Sequence, residues 1–292
     1  MRLLRVGPPG SERPAALDPE GVLRDLSSVV ASVDGALLAD RVALAAVAEA
    51  LGTGTLPEVS PQTRRGAPFA MPGKVVGIGL NYHDHAAESG AAVPERPVVF
   101  LKPSSTVCGP EDGIELPPGS TATDYEVELG VVVGRALRHC DDPARALRSV
   151  GGYVAVNDVT ERALAADGPT WAKGKCCDTF TPAGPWLVTP DEVADPQALV
   201  LELRVNGQLR QDGTTADMAF SVAELLCYLS GLMTLEPGDL VLTGTPAGVA
   251  AGRPEPEPFL RDGDVLELEV EGLGRQRTAV RATGWIEERW VG

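Results

Sequence analysis

The sequence predicts a mixed, mainly β fold whose body is a β-sandwich or roll. Short β-rich runs bounded by Gly, Pro and Asp fill most of the chain after residue 72, whereas helical stretches there are few. Strands and helices do not alternate regularly, which disfavours a Rossmann sheet or a TIM barrel. A length of 292 residues suits one large domain and one small domain, with ample material for a buried core.

Residues 1–72 are predicted to form a small N-terminal α+β domain and a linker. "MRLLRV" and the segment around Leu17 and Val22 suggest short strands joined by a turn, and residues 36–51 have the Ala, Leu and Val density of a helix that ends at Gly52. The Gly-, Pro- and Thr-rich segment that follows predicts a linker around the body. A boundary near residue 72 leaves residues 73–292 as the main domain.

The main domain is predicted to hold strands in "KVVGIGL", "PVVFLK", "EVELGVVV", "GYVAVNDV", "LVLELRVNG", "DLVLTGT" and "DVLELEVEG". Helices are predicted after Asn81 and at residues 143–147, 160–166 and 221–232. The last of these begins with a capping-box pattern, in which Ser221 is the N-cap and Glu224 follows three residues later.

Charge and composition exclude several classes of function. The formal net charge is -16 and the Lys and Arg residues form no basic stripe, which argues against nucleic acid and anionic membranes as partners. The chain has no run of 18 apolar residues and its start lacks the apolar stretch of a signal peptide, so we expect a cytoplasmic protein that does not span a membrane. Five cysteines without a CxxC pair disfavour a disulfide framework and a zinc knuckle.

Acidic side chains gather in "DYEVELG". In a strand, Asp124, Glu126 and Glu128 share one face, and Asp158 ends the apolar run "GYVAVND". Carboxylates from neighbouring strands form an oxygen-only site of the kind that Mg²⁺, Mn²⁺ or Ca²⁺ prefers, and a cation there would offset their repulsion. The alternative is a solvent-exposed face of an antiparallel sheet.

Three further stretches carry candidate chemistry. In "GLNYHDHAAESG", His85 and Glu88 are spaced to hydrogen-bond on a helix, which suits a general base, although a solvated helix has the same pattern. The chain has 21 Arg but only four Lys, and "WAKGK" holds two of these, Lys173 and Lys175, either for their chemistry or by chance. The small residues around Thr245 form a turn whose backbone N–H groups can hold an oxyanion, or a plain turn.

Several longer motifs follow one another along the main domain. They are "GIGLNYHDHAAE", "FLKPSS", "DYEVELGVVVGR", "GYVAVNDVTER", "KGKCCDTFTPAGPW", the long run from "VNGQLRQDG" to "TGTPAGV", and "GDVLELEVEGLG". In this order they resemble the fumarylacetoacetate hydrolase family, and the resemblance covers roughly residues 73 to 290. The N-terminal portion is also similar to members that act on 2,4-diketo-3-deoxy-L-fuconate, and the chain resembles acylpyruvate hydrolase-like members more generally.

The resemblance implies a β-sandwich roll of this family's type, a catalytic domain at residues 73–292, a homodimer and one divalent ion, Mg²⁺ or Mn²⁺. Glu126, Glu128 and Asp158 are expected to bind the metal, while Asp124 supports the start of the strand. His85 and Glu88 match the family's water-activating pair, and Lys175 matches the lysine that faces the substrate. The expected substrate-binding residues are Tyr82, Arg162, Gln211 and Thr245.

The expected function is therefore metal-dependent hydrolysis of a C–C bond in a small-molecule keto acid, a β-diketo acid of the acylpyruvate or diketo-deoxy-sugar-acid type, through a metal-bound enolate. Decarboxylation of oxaloacetate-like acids, or isomerisation and tautomerisation, are alternatives on the same platform. A metal- or carboxylate-binding protein without turnover is a third possibility, which His85, Glu88 and Lys175 disfavour. Glu161, Cys176 and Cys177 depart from the family pattern and leave the shape of the pocket open.

Overall fold

A computed structural model describes residues 1–253 and 259–284. The end of the predicted main domain, beyond residue 284, lies outside the described residues. The strands, numbered in chain order, are β1 (Arg2–Val6), β2 (Arg13–Leu17), β3 (Leu23–Asp25), β4 (Val75–Gly79), β5 (Val98–Lys102), β6 (Val107–Cys108), β7 (Ile114–Leu116), β8 (Thr123–Asp124), β9 (Val127–Val133), β10 (Val150–Asn157), β11 (Thr160–Glu161), β12 (Thr181–Pro182), β13 (Leu187–Val188), β14 (Val200–Val205), β15 (Gln208–Thr214), β16 (Leu240–Leu242), β17 (Val265–Val270) and β18 (Gly274–Ala282).

Helices are fewer than strands, as the sequence predicts. The α-helices are α1 (Gly35–Ala39), α2 (Arg41–Gly52), α3 (His83–Glu88), α4 (Pro143–Leu147), α5 (Arg162–Ala166), α6 (Ala172–Lys175) and α7 (Val222–Leu232). Single 3₁₀ turns occur at Ser104–Thr106, Pro190–Glu192, Thr215–Asp217 and Ala250–Gly252. Within the described ranges, no helix is long and apolar enough to cross a membrane.

Two large sheets form the body of the described structure. The nine-stranded sheet has the order β3-β2-β1-β13-β10-β9-β16-β4-β5, and the five-stranded sheet has the order β15-β14-β17-β18-β7. Alternate side chains of β9, such as Val127, Leu129 and Val131, share a buried cluster with Leu203 and Leu268 of the smaller sheet. The two sheets therefore pack face to face, and the prediction of a mainly β sandwich body is confirmed.

The other face of the large sheet is covered by the N-terminal region. Val132 of β9 and Leu240 of β16 belong to a second buried cluster with Leu3 of β1 and Leu37 of α1. Strand β1 also pairs antiparallel with β13, so β1, β2 and β3 extend the same sheet rather than forming one of their own. Residues 1–72 thus contribute both strands and a covering layer to the body.

Several predicted helices are found and two differ in their bounds. Asp40 divides the predicted helix at residues 36–51, because its carboxylate caps α2 by accepting hydrogen bonds from the backbone N–H groups of Val42 and Ala43. The helix predicted at residues 160–166 begins only at Arg162, since Thr160–Glu161 pairs with β8. The capping box of α7 is confirmed.

Candidate active site

The acidic residues meet where the central strands β9 and β10 lie side by side. Glu128 is in β9, Glu126 precedes that strand, and Asp158 directly follows β10. The antiparallel register places Val156 opposite Glu128, and the backbone N–H of Asp158 donates to Glu126 O over 2.9 Å. One carboxylate oxygen from each of the three acids lies within 4.8 Å of the others, and all three side chains are buried. A solvent-exposed face is therefore excluded.

Two lysines neutralise part of this acidic cluster. Lys175 Nζ donates to Glu126 Oε2 over 2.8 Å and to Asp158 Oδ2 over 2.5 Å. Lys102 Nζ donates to Asp158 Oδ1 over 2.5 Å and to the carbonyl oxygen of Phe180 over 2.7 Å. Both ammonium groups are almost completely buried, so each interacts with its carboxylate in a weakly screening environment.

Glu128 lacks such compensation. Its Oε2 accepts a hydrogen bond from the backbone N–H of Gly244 over 2.8 Å, but no Lys or Arg among the described residues forms an ion pair with it. Burial, together with the charges of Asp158 and Glu126, raises the pKa of Glu128 well above its usual value. Burial alone would also raise the pKa of Glu126, but the nearby Lys175 and Arg162 outweigh it and lower that pKa.

The donor set fits a hard divalent cation. Three buried carboxylates converge within one ion's reach, all donors are oxygen, and the ionised form of Glu128 has no Lys or Arg partner among the described residues. Mg²⁺ and Mn²⁺ both suit such ligands. Glu126, Glu128 and Asp158 are the residues that could hold the ion.

Asp124 lies outside this cluster because the strand is interrupted. The predicted continuous run through "DYEVELG" is divided into β8 and β9, with Tyr125 and Glu126 between them. Asp124 accepts hydrogen bonds from the backbone N–H groups of Ala250 and Ala251, over 2.7 and 3.1 Å, and from Arg162 Nε over 2.8 Å. Asp124 therefore ties the loop at residues 248–253 to the acidic cluster through Arg162, which also contacts Glu126 over 2.5 Å.

His85 and Glu88 form a contact on the short helix α3. His85 Nδ1 lies 3.3 Å from Glu88 Oε2. The backbone N–H of Gly248 donates to both oxygens of Glu88, over 2.9 and 3.1 Å. A Cβ added at Gly252 would lie 2.3 Å from Glu88 Cδ, so this loop holds the carboxylate closely in place.

A cavity of about 790 Å³ connects these groups. Its wall includes seven of the residues expected to act in the site: His85, Glu88, Glu126, Glu128, Arg162, Lys175 and Thr245. Apolar surface comes from Phe100 and Trp171, whose rings meet edge to face with centroids 5.9 Å apart. Asp158, the third carboxylate of the cluster, does not line the cavity itself, but it accepts a hydrogen bond from Lys175, which does. The cavity is thus lined by charged side chains and by two aromatic rings.

Tyr82 and Gln211 are expected to contact the substrate, but neither lines the cavity. Tyr82 is fully buried at the N-cap of α3. The amide of Gln211 is occupied within the protein: Nε2 donates to Thr245 Oγ1 over 2.8 Å and to the carbonyl oxygen of Pro246, and Oε1 accepts from the backbone N–H of Val127. Gln211 therefore positions Thr245 instead of facing the cavity.

The residues that depart from the family pattern also point away from the cavity. Glu161 is buried, and its carboxylate accepts hydrogen bonds from the hydroxyls of Ser120 and Thr123. Cys176 is exposed and Cys177 is half-buried, and neither lines the cavity wall. None of these three residues contributes to the cavity wall.

Sequence reasoning missed Lys102, Phe100, Trp171 and Arg253 as residues of the site. Lys102 carried a signal, because it is one of only four lysines in the chain. Phe100, two residues earlier on β5, lies beneath Lys175 with its ring centroid 4.9 Å from Nζ. Trp171 packs over Gly79, where an added Cβ would lie 2.4 Å from the indole ring. Such pairings across distant segments have no local pattern.

Comparisons with known proteins agree with this geometry. The family description "Fumarylacetoacetate (FAA) hydrolase C-terminal" matches residues 74–281. A provisionally named hydrolase of Burkholderia multivorans is 52% identical over 283 residues, which are 97% of this chain and 99% of that protein. A fumarylacetoacetate hydrolase from Exiguobacterium antarcticum has a TM-score of 0.84 at 34% identity, covering 97% of this chain and 100% of that chain.

Two other solved structures differ in the reaction that their names describe. The maleylpyruvate hydrolase of Sphingobium sp. SYK-6 has a TM-score of 0.81 at 28% identity, and the 5-carboxymethyl-2-hydroxymuconate delta-isomerase of Mycobacterium smegmatis has a TM-score of 0.75 at 32% identity. Each covers 97% of this chain and 100% of its own. With the matched domain spanning most of the chain, this protein belongs to the fumarylacetoacetate hydrolase family.

Proposed function

We propose that this protein is a divalent-metal-dependent hydrolase that cleaves a C–C bond in a β-diketo acid of the acylpyruvate or diketo-deoxy-sugar-acid type. The observation that supports it is the meeting, in one cavity, of a buried carboxylate cluster with the His85–Glu88 pair. Mg²⁺ or Mn²⁺, when held by Glu126, Glu128 and Asp158, supplies a Lewis acid for the oxygens of an α-keto acid. The remaining steps belong to side chains of the protein.

His85 is suited to take a proton from water. When Nδ1–H of neutral His85 donates a hydrogen bond to Glu88, Nε2 carries no proton and can act as the base. The same hydrogen bond orients the ring. The backbone N–H of Gly248 holds Glu88 in this role. In this proposal the attacked carbonyl carbon lies beside His85.

Lys175 can stabilise developing negative charge, whereas the Thr245 hydroxyl cannot. Lys175 Nζ carries a positive charge at the cavity wall, where it can stabilise an oxyanion. The Thr245 hydroxyl donates its proton to the carbonyl oxygen of Val127 and accepts from Gln211. It therefore has only an acceptor lone pair to offer a substrate, which differs from a role in holding an oxyanion.

The proposed reaction balances with one water molecule. A C–O bond forms at the distal carbonyl carbon and the bond from that carbon to the central CH₂ breaks. The electron pair stays on the CH₂ carbon, which takes up one water proton and becomes the methyl group of pyruvate. The acyl group leaves as a carboxylic acid, which releases the second proton to solvent near neutral pH.

Cleavage of acylpyruvate is expected to require added metal. The test is loss of the enol absorbance of acetylpyruvate with metal-stripped protein and with protein reloaded with Mg²⁺ or Mn²⁺, with products identified by NMR. Pyruvate and acetate are expected only after reloading. Unchanged acetylpyruvate alongside loss of CO₂ from oxaloacetate would overturn hydrolysis in favour of decarboxylation.

An isomerase or tautomerase is the second candidate, because the Mycobacterium smegmatis relative carries an isomerase name. Proton transfer within an enolisable acid needs an acid and a base but no attacking water. The same NMR experiment separates the two reactions: an isomerase changes the proton spectrum or exchanges the CH₂ protons with deuterium without producing two shorter acids.

Replacing Gly252 with alanine is expected to lower turnover without weakening metal binding. The new Cβ would lie 2.3 Å from Glu88 Cδ, so the carboxylate must move away from its contacts with Gly248 and His85. A displacement of about 1 Å in such a group can cost about 100-fold in rate. Steady-state rates and a calorimetric metal titration measure the two effects.

Gly231→Ala is the matched control, since Gly231 lies in α7 and an added Cβ there would meet nothing within 4 Å. Alanine is favoured over glycine within a helix, so this variant is expected to keep its stability and turnover. Equal rates for the Gly252→Ala variant and wild type would show that Glu88 does not support the chemistry.

A further inference from the structure

Helix α3, which carries His85 and Glu88, is not capped by its own N-cap residue. Tyr82 occupies that position and makes no capping hydrogen bond through its side chain. The first backbone N–H groups of a helix have no partners within the helix, so other groups must satisfy them. Because a helix of six residues is marginal on its own, its orientation depends on the contacts that hold its first turn.

The cap of α3 comes from a distant segment. Asp217 ends the 3₁₀ turn at Thr215–Asp217, and its Oδ2 accepts a hydrogen bond from the backbone N–H of Asp84 over 2.9 Å. Asp84 Oδ1 in turn accepts from the backbone N–H of His85 over 2.6 Å. Two carboxyl groups that are 133 positions apart in the sequence therefore hold the first turn of the helix.

The two carboxyl groups also contact each other. They share a hydrogen bond, which requires that one of them keep its proton. Burial, together with the charge of Asp217, accordingly raises the pKa of Asp84. The pair thus joins α3 to the 3₁₀ turn through a contact between side chains in addition to the contact with the helix backbone.

The segment that follows Asp217 is itself fastened to the chain just before α3. The backbone N–H of Ala219 donates to the carbonyl oxygen of Asn81 over 2.8 Å, and Asn81 Oδ1 accepts from the backbone N–H of Phe220 over 2.9 Å. Asn81 Nδ2 donates to the carbonyl oxygen of Phe220 over 3.1 Å. Asp217 therefore acts from a well-fixed position, and its carboxyl group sets where α3 begins.

We propose that Asp217 is a positioning residue for hydrolysis, which caps α3 from this distant segment and thereby holds the imidazole of His85 at the cavity wall. The inference rests on the proposed hydrolase function. Glu88 orients the ring within the helix, whereas Asp217 places the helix itself. Asp217 does not line the cavity, so it acts without touching the substrate.

The first test compares Asp217→Ala with Asp217→Asn in metal-loaded protein acting on acetylpyruvate. Alanine removes the acceptor for the N–H of Asp84, so kcat is expected to fall by up to about 100-fold, the cost of a misplacement of about 1 Å. Asparagine keeps that acceptor and offers an amide N–H to the Asp84 carboxylate, so it is expected to retain most of the wild-type kcat. KM and the calorimetric affinity for Mg²⁺ are expected to match wild type in both variants.

A double variant distinguishes positioning from a general loss of structure. If Asp217 acts through His85, adding Asp217→Ala to His85→Gln is expected to lower kcat no further than His85→Gln does alone. Hydrogen exchange followed by mass spectrometry is expected to be faster in α3 of the Asp217→Ala protein and unchanged in the central strands. Asp212→Ala is the matched control, because Asp212 is exposed on β15 and the same charge is removed. It is expected to keep the wild-type rate and exchange.

Several outcomes would overturn the inference while the hydrolase function stands. These are a wild-type kcat in the Asp217→Ala protein, an Asp217→Asn protein as slow as Asp217→Ala, or additive losses in the double variant. Loss of Mg²⁺ affinity or faster exchange throughout the Asp217→Ala protein would also do so, because Asp217 would then support the fold in general. Failure of wild type to cleave acetylpyruvate overturns the proposed function and this inference with it.

Discussion

Replacing Glu128 with glutamine is expected to abolish useful binding of Mg²⁺ or Mn²⁺ and, with it, cleavage of acylpyruvate. The substitution keeps the shape of the side chain but removes one of three converging carboxylates. We expect metal affinity to fall by at least about 100-fold, since even residues that only orient a metal ligand contribute 10- to 100-fold. Isothermal titration calorimetry of metal-stripped protein measures this loss directly.

The same variant is expected to be more stable than wild type when both are metal-free. Glu128 is buried beside Asp158 and Glu126 without a Lys or Arg partner among the described residues, so folding must either bury an unpaired negative charge or take up a proton, and glutamine avoids both costs. Metal at 100 times its dissociation constant should add about 2.7 kcal/mol to the free energy of unfolding of wild type and nothing comparable to the variant. Thermal unfolding with and without metal reveals both effects.

Glu49→Gln provides the comparison for loss of one carboxylate, because Glu49 is exposed on α2. It is expected to match wild type in metal affinity and in both unfolding temperatures. Full metal affinity in the Glu128→Gln protein would contradict the assignment of the acidic cluster as the metal site.

Replacing His85 with glutamine is expected to stop hydrolysis while leaving metal binding intact. The variant loses the group that takes the proton from water, and general bases contribute roughly 10²- to 10⁴-fold to rates. His85 reaches Glu88 and the cavity but is not one of the three converging carboxylates. The measurements are kcat on acetylpyruvate and the calorimetric affinity for Mg²⁺.

His83→Gln is a close control, since His83 is exposed on the same turn of α3. We expect its rate to equal that of wild type. If His85→Gln still cleaved acetylpyruvate at the normal rate, water activation would have to come from another group. Loss of metal affinity in the same variant would instead indicate that His85 supports the metal site.

The predicted fold follows from patterns that are local in the sequence. The alternating or continuous apolar runs give the central strands β9, β10 and β16, and the Ser221–Glu224 capping box gives the start of α7. Asp40 shows where local patterns are insufficient. The Ala- and Leu-rich segment reads as one helix, but the capping hydrogen bonds of the Asp40 side chain favour two.

The site was partly predictable for a related reason. Two compact motifs supply part of the site, one with Glu126 and Glu128 and the other with His85 and Glu88. Within each motif the two residues are close in the sequence, so their proximity could be predicted. Lys102 contacts Asp158 across 56 positions, which only the pairing of distant strands can bring about. Gln211 is expected at the site but does not line the cavity. Its amide is fully occupied by buried hydrogen bonds within the protein, which the sequence does not reveal.

The site residues come from two parts of the fold that differ in their surroundings. The carboxylates lie in or directly beside β9 and β10, the central strands of the large sheet, whose apolar residues belong to both buried clusters. Gly248, Gly252 and Arg253 lie on a loop at the rim of the cavity. A change in this loop therefore reaches Glu88 and the cavity without passing through the core of the sheets, so variation in substrate preference is expected to concentrate at its side chains rather than at its glycines.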